Sequence, residues 1–138
     1  MDLAPVVSRL QAQVAAFRLV AGAADLASAT DDLKQVPAAY VYPVADRTTR
    51  SGGLGYVAHE VQARFGVVIA ARNLRDARGE KAIGDLEPLR VAVRTALLGW
   101  PPAAGYDRCT WQGGRLIRIA QAVLWWQDDF ETAYSVKG

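Results

Sequence analysis

Apolar residues recur at helical spacing near the N-terminus. They fall every three or four positions between residues 3 and 17, which predicts an amphipathic helix with Pro5 in its first turn. A second, short helix is predicted over residues 23–33 (AADLASATDDL). Residues 38–45 (AAYVYPVA) are rich in strand-forming side chains, and Pro43 predicts an edge strand because proline cannot donate a hydrogen bond to a neighbouring strand.

Apolar and polar residues alternate from Tyr56 to Asn73, and this pattern predicts one long, half-buried strand. The strand exceeds the usual ~5–6 residues, so we expect strong twist, a bend near Gly66, or a portion that projects beyond the sheet. The preceding residues 46–55 (DRTTRSGGLG) are polar and glycine-rich, and they predict a mobile surface loop. The apolar face of the strand carries Val57, His59, Val61, Ala63, Phe65, Val67, Ile69 and Ala71.

The main helix is predicted within residues 74–100. Pro88 leaves two alternatives, because the helix is either kinked there or begins at Asp85 and has the proline in its first turn. Two final strands are predicted over residues 108–119 and 123–136.

A short turn near Gln121 joins these two strands, and the glycines of residues 112–114 (QGG) predict a bulge or tight bend in the first of them. The resulting order α-α-β-β-α-β-β predicts an α+β fold. It would comprise a small, mostly antiparallel sheet of about four strands with helices packed on one face, in a single domain over residues 1–138.

Composition narrows the function classes. The chain is 51% hydrophobic and 22% charged, which is typical of a globular protein, and no apolar run reaches the ~20 residues of a membrane-spanning helix. The N-terminus lacks the pattern of a signal peptide, so we expect a cytoplasmic protein without membrane contact. The net charge of +2 is spread along the chain, which argues against direct nucleic-acid recognition.

Candidate chemistry is sparse. Cys109 is the single cysteine, so neither an intramolecular disulfide nor a thiolate zinc cluster is possible. His59 is the single histidine, and its place on the apolar face of a strand favours a structural role. We therefore predict no catalytic residue, metal or cofactor. A small enzyme or ligand-binding domain that uses His59 and the acidic residues is the less favoured alternative.

The segment LWWQDDFETAYSV (residues 124–136) places aromatic residues beside carboxylates. In a strand, Trp126, Phe130 and Tyr134 would point into the core while alternate residues point away from it. Two carboxylates on that second face supply too few ligands for a divalent cation, whereas tryptophan with a polar rim is typical of protein interfaces. The predicted interface residues are Trp125, Asp129 and Glu131, with Arg72, Arg75 and Arg78 as complementary charges and Arg50 and Leu54 in the glycine-rich loop.

Four motifs together resemble a known family. They are F-x-V-V-x-x-x-R-N, L-x-x-L-R, G-W-x-P-x-x-G-Y and W-W-Q-D-x-F-x-T-x-Y, at residues 65–73, 86–90, 99–106 and 125–134. In combination they resemble the tail terminator, or tail-completion, proteins of long-tailed phages and Mu-like prophages. The resemblance extends over about residues 36–136.

The resemblance implies a structural subunit of the virion, assembled in the host cytoplasm and without enzymatic activity. Copies of it would form a ring, typically a homohexamer, at the head-proximal end of the tail tube. The ring would stop tube polymerisation and offer a surface to the head–tail connector or neck protein, and in contractile tails to the sheath. Another head–tail connector or a tail tube component of the same virion is the alternative.

Overall fold

The structure is a computed structural model, and it describes residues 1–29, 35–72 and 80–138. Three helices and five strands are interspersed along the described residues, and the predicted α+β class is confirmed. The elements are α1 (Ala4–Gln13), β1 (Leu19–Gly22), α2 (Ala23–Ala29), β2 (Ala38–Ser51), β3 (Ala58–Arg72), α3 (Glu80–Leu97), β4 (Thr110–Ala120) and β5 (Val123–Lys137).

The strands form one five-stranded sheet in the order β1-β2-β3-β5-β4. β1 pairs with β2 in parallel, and the other neighbours are antiparallel. The prediction of about four strands is therefore wrong by one, because it missed β1. That strand is only four residues long, which is too short for an alternating pattern to be recognised between two helical segments.

The predicted loop over residues 46–55 is wrong for residues 46–51 and correct for residues 52–55. β2 continues to Ser51 and pairs with β3 as far as Ser51↔Ala58, so residues 46–51 form the outer part of a long hairpin, and residues 52–55 lie in its turn. From Pro43 onward every residue of β2 is exposed, and the segment lacks the buried face whose apolar residues would have marked a strand in the sequence. β1 accompanies β2 only through Val41, so Pro43 does lie on an open edge, next to a register shift.

β3 is the central strand and confirms the predicted long strand. It pairs with β2 on one side and with β5 on the other over nearly all of its length. Its odd-numbered face packs under α1 and α3 in the main core, which includes Phe65, Val67 and Ile69. Its even-numbered face contributes Val68 and Ala70 to a second cluster.

Helices lie on both faces of the sheet. α1 and α3 cover the main core, whereas Leu26 of α2 packs against the second cluster. The prediction that all helices share one face is correct only for α1 and α3. The amphipathic pattern of a helix shows that one side is buried, but it carries no information about which face of a sheet buries it.

α3 runs through Pro88, which lies inside the helix. The predicted alternative start at Asp85 is wrong, because the helix begins at Glu80. The helix ends where Gly99 adopts a φ of +75°, a conformation that glycine tolerates without strain. The amide of Gly99 donates to the carbonyl of Cys109 at 3.0 Å, which fixes the segment leading into β4.

β4 and β5 form the predicted C-terminal hairpin. Gln121 and Ala122 occupy its turn with φ values of 52° and 60°, as a two-residue turn with two left-handed positions requires. The predicted bulge is confirmed by a register shift between Trp111 and Gly113, and a second shift lies between Leu116 and Arg118.

A buried ion pair joins α3 to this hairpin. Asp128 of β5 is fully buried, and both of its carboxylate oxygens accept hydrogen bonds from Arg90 at 3.0 Å. The hydrogen bond with Asp128 is the main cause of the raised pKa of Arg90. The indole nitrogen of Trp111 in β4 donates to Asp128 Oδ1 at 3.2 Å, and the Arg90 guanidinium lies 4.4 Å from the centre of the Trp126 ring. α3, β4 and β5 are thus held together at one polar centre.

Gly114 packs directly over this centre, and we predict that Gly114→Ala destabilises the fold. A Cβ atom there would lie 2.6 Å from Trp126 Nε1 and closer still to the Asp128 carboxylate. Such overpacking should lower the free energy of unfolding by about 2 kcal/mol, measured by urea denaturation. Gly22→Ala is the matched control, because a Cβ atom there meets nothing within 4 Å, and it should cause no loss. An unchanged urea midpoint for Gly114→Ala would contradict the described packing.

Candidate functional site

β4 forms one open edge of the sheet. Nine of its eleven residues are exposed, and its outer backbone groups have no neighbouring strand within the described part of the chain. Such an edge is a template for pairing with another strand. Leu116 and Ile119 are 46% and 48% exposed, and their cross-strand partners Trp126 and Leu124 place both of them on the face that α3 covers.

α3 extends this apolar edge. Val91, Arg94 and Leu98 lie on one stripe of the helix by their spacing of three and four residues. The Arg94 guanidinium lies 4.7 Å from the centre of the Trp111 ring, so this stripe borders β4. Val91, Leu98 and Trp111 are each a little under half exposed. The β4 edge is therefore a strand edge flanked by uncovered apolar side chains, and we define the β4 edge patch as Val91, Leu98, Trp111, Leu116 and Ile119.

The opposite edge of the sheet is open over the outer half of β2. β1 ends beside Val41, so β2 has β3 as its only neighbour from Tyr42 to Ser51 among the described residues. A groove of about 520 Å³ lies where β1 ends. We call it the β2 groove, and it is lined by Met1, Asp2, Leu3, Ala4, Val7, Ser8, Gly22, Ala23, Val41 and Pro43.

The sheet face opposite the main core carries a chain of polar contacts. The Tyr42 hydroxyl donates to Gln127 Oε1, and Gln127 Nε2 donates to Asp129 Oδ1 at 2.7 Å. Arg115 lies 3.5 Å from Asp129. Burial is the main cause of the raised pKa of Tyr42. Asp129 thus has partners inside its own subunit. A substitution of Asp129 would remove the hydrogen bond from Gln127 and the ion pair with Arg115 within the subunit.

Glu131, a second predicted interface residue, has a partner of its own. Its carboxylate lies 3.4 Å from the Arg64 guanidinium, and both side chains are partly exposed. An exposed pair of this kind contributes little to stability, typically ~0–1 kcal/mol. Glu131 lies on a sheet face that no described helix covers there, so it remains accessible to a neighbour. Its interface role stays a prediction.

Trp125 does not lie on the surface, and the prediction of an exposed tryptophan is wrong. The side chain is only 4% exposed, with its ring centre 6.4 Å from that of Tyr40 in the second cluster and the Arg118 guanidinium 5.2 Å above it. Strand alternation placed Trp125 correctly on the face of Gln127 and Asp129. It could not show that residues of β1 and Leu26 of α2 pack in one cluster with Trp125 at the inner end of that face.

The remaining aromatic predictions hold to different degrees. Phe130 is fully buried and stacks on Phe65, with a ring-centre distance of 5.8 Å. Trp126 packs against the main core while partly exposed, and Tyr134 is half-buried against Tyr106. All three lie on the predicted face of β5.

The predicted arginines are only partly described. Arg72 is exposed at the end of β3 and takes part in a contact of its own, whereas Arg75 and Arg78 lie outside the described residues. Arg50 is exposed on the outer part of β2, paired across the hairpin with His59.

The tip of the β2–β3 hairpin presents Leu54 to solvent. This leucine is fully exposed, and Tyr56 and Val57 beside it are about half exposed. Gly52 and Gly55 hold φ values of 129° and 84°, which give the tip its sharp course. We define residues 50–57 as the hairpin tip. An uncovered leucine at the end of a projecting hairpin is suited to contact with a partner. The sequence analysis named Leu54 as an interface residue in the glycine-rich loop, and that role stays a prediction.

Groups with catalytic potential are dispersed. Over residues 1–29, 35–72 and 80–138 no three side chains of His, Cys, Asp or Glu come together as a metal site. His59 is half-buried on β3, at the outer part of the hairpin. No described helix combines the length and apolar character needed to cross a bilayer.

Comparison with protein families adds the decisive observation. The family model described as phage tail terminator protein matches residues 1–138, the whole chain. The chain belongs to the phage tail terminator family. This is a family of structural tail proteins rather than of enzymes, which makes the chain a component of the virion tail. A search of curated proteins finds no match.

The terminator fold gives Cys109 a testable property. The thiol is buried, and burial raises its pKa to about 11. At pH 8 only ~1 in 1,000 of such thiols is ionised, and the thiolate is the reactive form. We expect alkylation of the folded protein at pH 8 to be slower than that of the urea-unfolded chain by about a hundredfold or more, followed by mass spectrometry.

The control for this measurement is a Ser135→Cys variant, because Ser135 is exposed on β5. The added thiol should react rapidly while Cys109 stays protected. Equal labelling of both thiols in the folded protein would show that the segment before β4 opens readily.

Proposed function

We propose that this chain is the ring-forming subunit that closes the head-proximal end of the phage tail tube. Copies of the subunit assemble into a homo-oligomeric ring, a hexamer in the arrangement expected for the family. The ring stops tube polymerisation and then presents its other side to the head–tail connector or neck protein. In a contractile tail the sheath is a further partner.

The observation that carries this proposal, beyond family membership, is the pair of open edges on one sheet. The β4 edge patch and the β2 groove lie on opposite sides of the sheet order, the groove where β1 ends beside β2, and they differ in shape. Contacts between two different surfaces of identical subunits are head-to-tail, and they generate a ring when the rotation closes. A subunit with such edges therefore supports a cyclic assembly.

The hairpin tip supports contact with the tube. It projects beyond the helices and ends in an exposed leucine flanked by half-exposed aromatic and aliphatic side chains. Burial of one leucine contributes roughly 1.5–3 kcal/mol, and a ring repeats that contribution in every subunit. The mechanism is steric, because a ring bound at the tube end occupies the surface that the next tube ring would use.

The first prediction concerns tail length. Lysates of a phage or prophage lacking this gene should contain overlong tails of irregular length that are not attached to heads, seen by electron microscopy. A plasmid copy of the gene should restore uniform, head-bound tails. Normal tails joined to full heads would contradict the proposal, whereas normal-length tails left unjoined would assign the protein to the connector class.

The second prediction concerns the hairpin tip. Leu54→Asp should leave the urea midpoint of the subunit unchanged, since the side chain is fully exposed, while it weakens capping of purified tail tubes. Binding should fall by about tenfold or more, measured by co-sedimentation with tubes. Gln13→Asp, at an exposed position on α1, is the matched charge control. Equal tube binding by Leu54→Asp and wild type would exclude the tip as the contact.

A further inference from the structure

We propose that the β4 edge patch of one subunit packs against β1 and the β2 groove of the next subunit. This inference rests on the proposed ring and names the two surfaces that close it. We call β1 together with the β2 groove the β1 flank. The occupant of the groove is thus a second copy of this chain, and the contact is head-to-tail because its two surfaces differ.

The strand registers place the two surfaces at the same height along the strands. Followed through β5 and β3, Trp111 of β4 is level with Pro43, which lines the β2 groove. By the same registers, residues 114–118 are level with the whole of β1. A rotation about an axis roughly parallel to the strands preserves height. It therefore brings the β4 edge to the β1 flank without a shift along that axis.

The apolar side chains of both surfaces lie on the same face of the sheet. Leu116 pairs across to Trp126 on the face that α1 and α3 cover, and Val20 of β1 belongs to the core on that face. Rotation without inversion keeps like faces together. Leu116 of one copy therefore packs beside β1 of the next at the height of Val20, and Ile119 packs beside the aliphatic stem of Arg18, the residue before β1.

The helices extend this contact above the sheet. α3 carries Val91 and Leu98 on the stripe that borders β4, and Arg94 between them lies 4.7 Å from the centre of the Trp111 ring. This stripe is therefore at the height of the β2 groove, whose wall on the helix side is the N-terminal half of α1. The half-exposed stripe of α3 thus faces an apolar wall on the next copy. The apolar residues of that wall are Met1, Leu3, Ala4 and Val7.

Charge favours this contact over one between two β4 edges. β4 carries Arg115 and Arg118 and no acidic residue, so two β4 edges would bring four cations together. The β1 flank has a carboxylate on each face. Asp2 lines the β2 groove, and Asp25 is exposed in the first turn of α2, on the face that Arg115 and Arg118 share. Arg18 lies on the other face by strand alternation.

Side-chain burial carries this contact more than backbone pairing does. β1 is only four residues long, and Gln11 Nε2 already donates to the Val20 carbonyl at 3.1 Å. Such an edge offers few free backbone groups to a neighbouring strand. The five side chains of the β4 edge patch, by contrast, are each a little under half exposed in the single subunit. Their removal from water is the main gain on assembly.

Thiol cross-linking tests the contact directly. The full-length double variant Arg18→Cys/Ile119→Cys should yield a ladder of covalently joined subunits after treatment with a short bis-maleimide. Both positions are exposed, and both lie at the height of Pro37, to whose carbonyl the Arg18 amide donates at 2.8 Å. Within one subunit they lie four strand spacings apart, ~19 Å, which is too far for the reagent. Cys109 is buried with a raised pKa.

Two control variants accompany this measurement. Ile119→Cys alone reports contact between two β4 edges. Thr48→Cys/Ile119→Cys places the second thiol at an exposed position of β2 that lies about ten residues, or ~34 Å, further out along the strands. Both controls should give no ladder.

The ring itself is observed on the unsubstituted chain by native mass spectrometry and on purified tail ends by electron microscopy. A ring with a ladder only in the Arg18→Cys/Ile119→Cys variant supports the inference. A ring without that ladder overturns the described contact and leaves the proposed function standing. Efficient linking in either control variant also overturns the contact. Absence of any ring, in solution or on tails, overturns both proposals.

A charged substitution gives an independent readout. Leu116→Lys should raise the subunit concentration at which half of the chains are in rings by about tenfold or more, because it places a charge in the apolar contact. Val136→Lys is the matched control, since Val136 is 47% exposed on β5, compared with 46% for Leu116. Equal effects of the two substitutions on ring formation, with equal thermal stability of the monomers, would overturn the contact.

Discussion

The length of β3 sets the plan of the molecule. A strand of fifteen residues spans about 50 Å, whereas α3 with eighteen residues spans about 27 Å. The helices therefore cover only the inner half of the sheet. There the residues of β3 from Phe65 to Ala71 are buried whichever face they lie on, and beyond them burial alternates with exposure. The outer half is a projecting set of strands stabilised by backbone pairing and by polar contacts such as that between Arg47 and Gln62.

The incomplete cover of the sheet by the helices also explains the buried ion pair between Arg90 of α3 and Asp128 of β5. β4 lies at the edge of the sheet and buries few side chains of its own, so hydrophobic burial alone would hold it weakly. The Arg90–Asp128 pair supplies directional contacts instead, and Trp111 of β4 joins it through the indole hydrogen bond. A buried ion pair adds little net stability because both charges lose their hydration. Its effect here is on geometry, since it fixes the position of β4 relative to α3 and therefore the shape of the edge patch.

Periodicity predicted the elements that have one buried face. α1, β3 and the C-terminal hairpin follow from spacing, and the glycines of residues 112–114 marked the bulge. Elements without that contrast were missed: β1 is too short to show it, and the outer part of β2 is exposed throughout. The prediction that Trp125 is exposed was wrong for a different reason. Its burial depends on Tyr40 and on other residues far away in sequence.

The candidate site was predictable only in outline. The sequence pointed to contacts between subunits and to the tail terminator family, but it directed attention to the carboxylates of β5. Those carboxylates are partners of Arg115 and Arg64 within one chain. The edges themselves were not visible, because whether a strand lies at the border of a sheet depends on strand order. Leu116 and Ile119 read as ordinary members of a strand until β4 was placed outermost.

Open edges carry a risk that this chain limits in three ways. β4 has two register shifts and two arginines, and β2 has Pro43 at the start of its free part. Bulges, charges and proline all hinder indiscriminate pairing of strand edges. A strand that pairs with either edge must therefore accommodate a register shift, a charged side chain or a proline. The two edges of this sheet are for that reason selective surfaces, and hydrophobic side chains such as Leu116 and Ile119 beside the β4 edge add a requirement for an apolar partner.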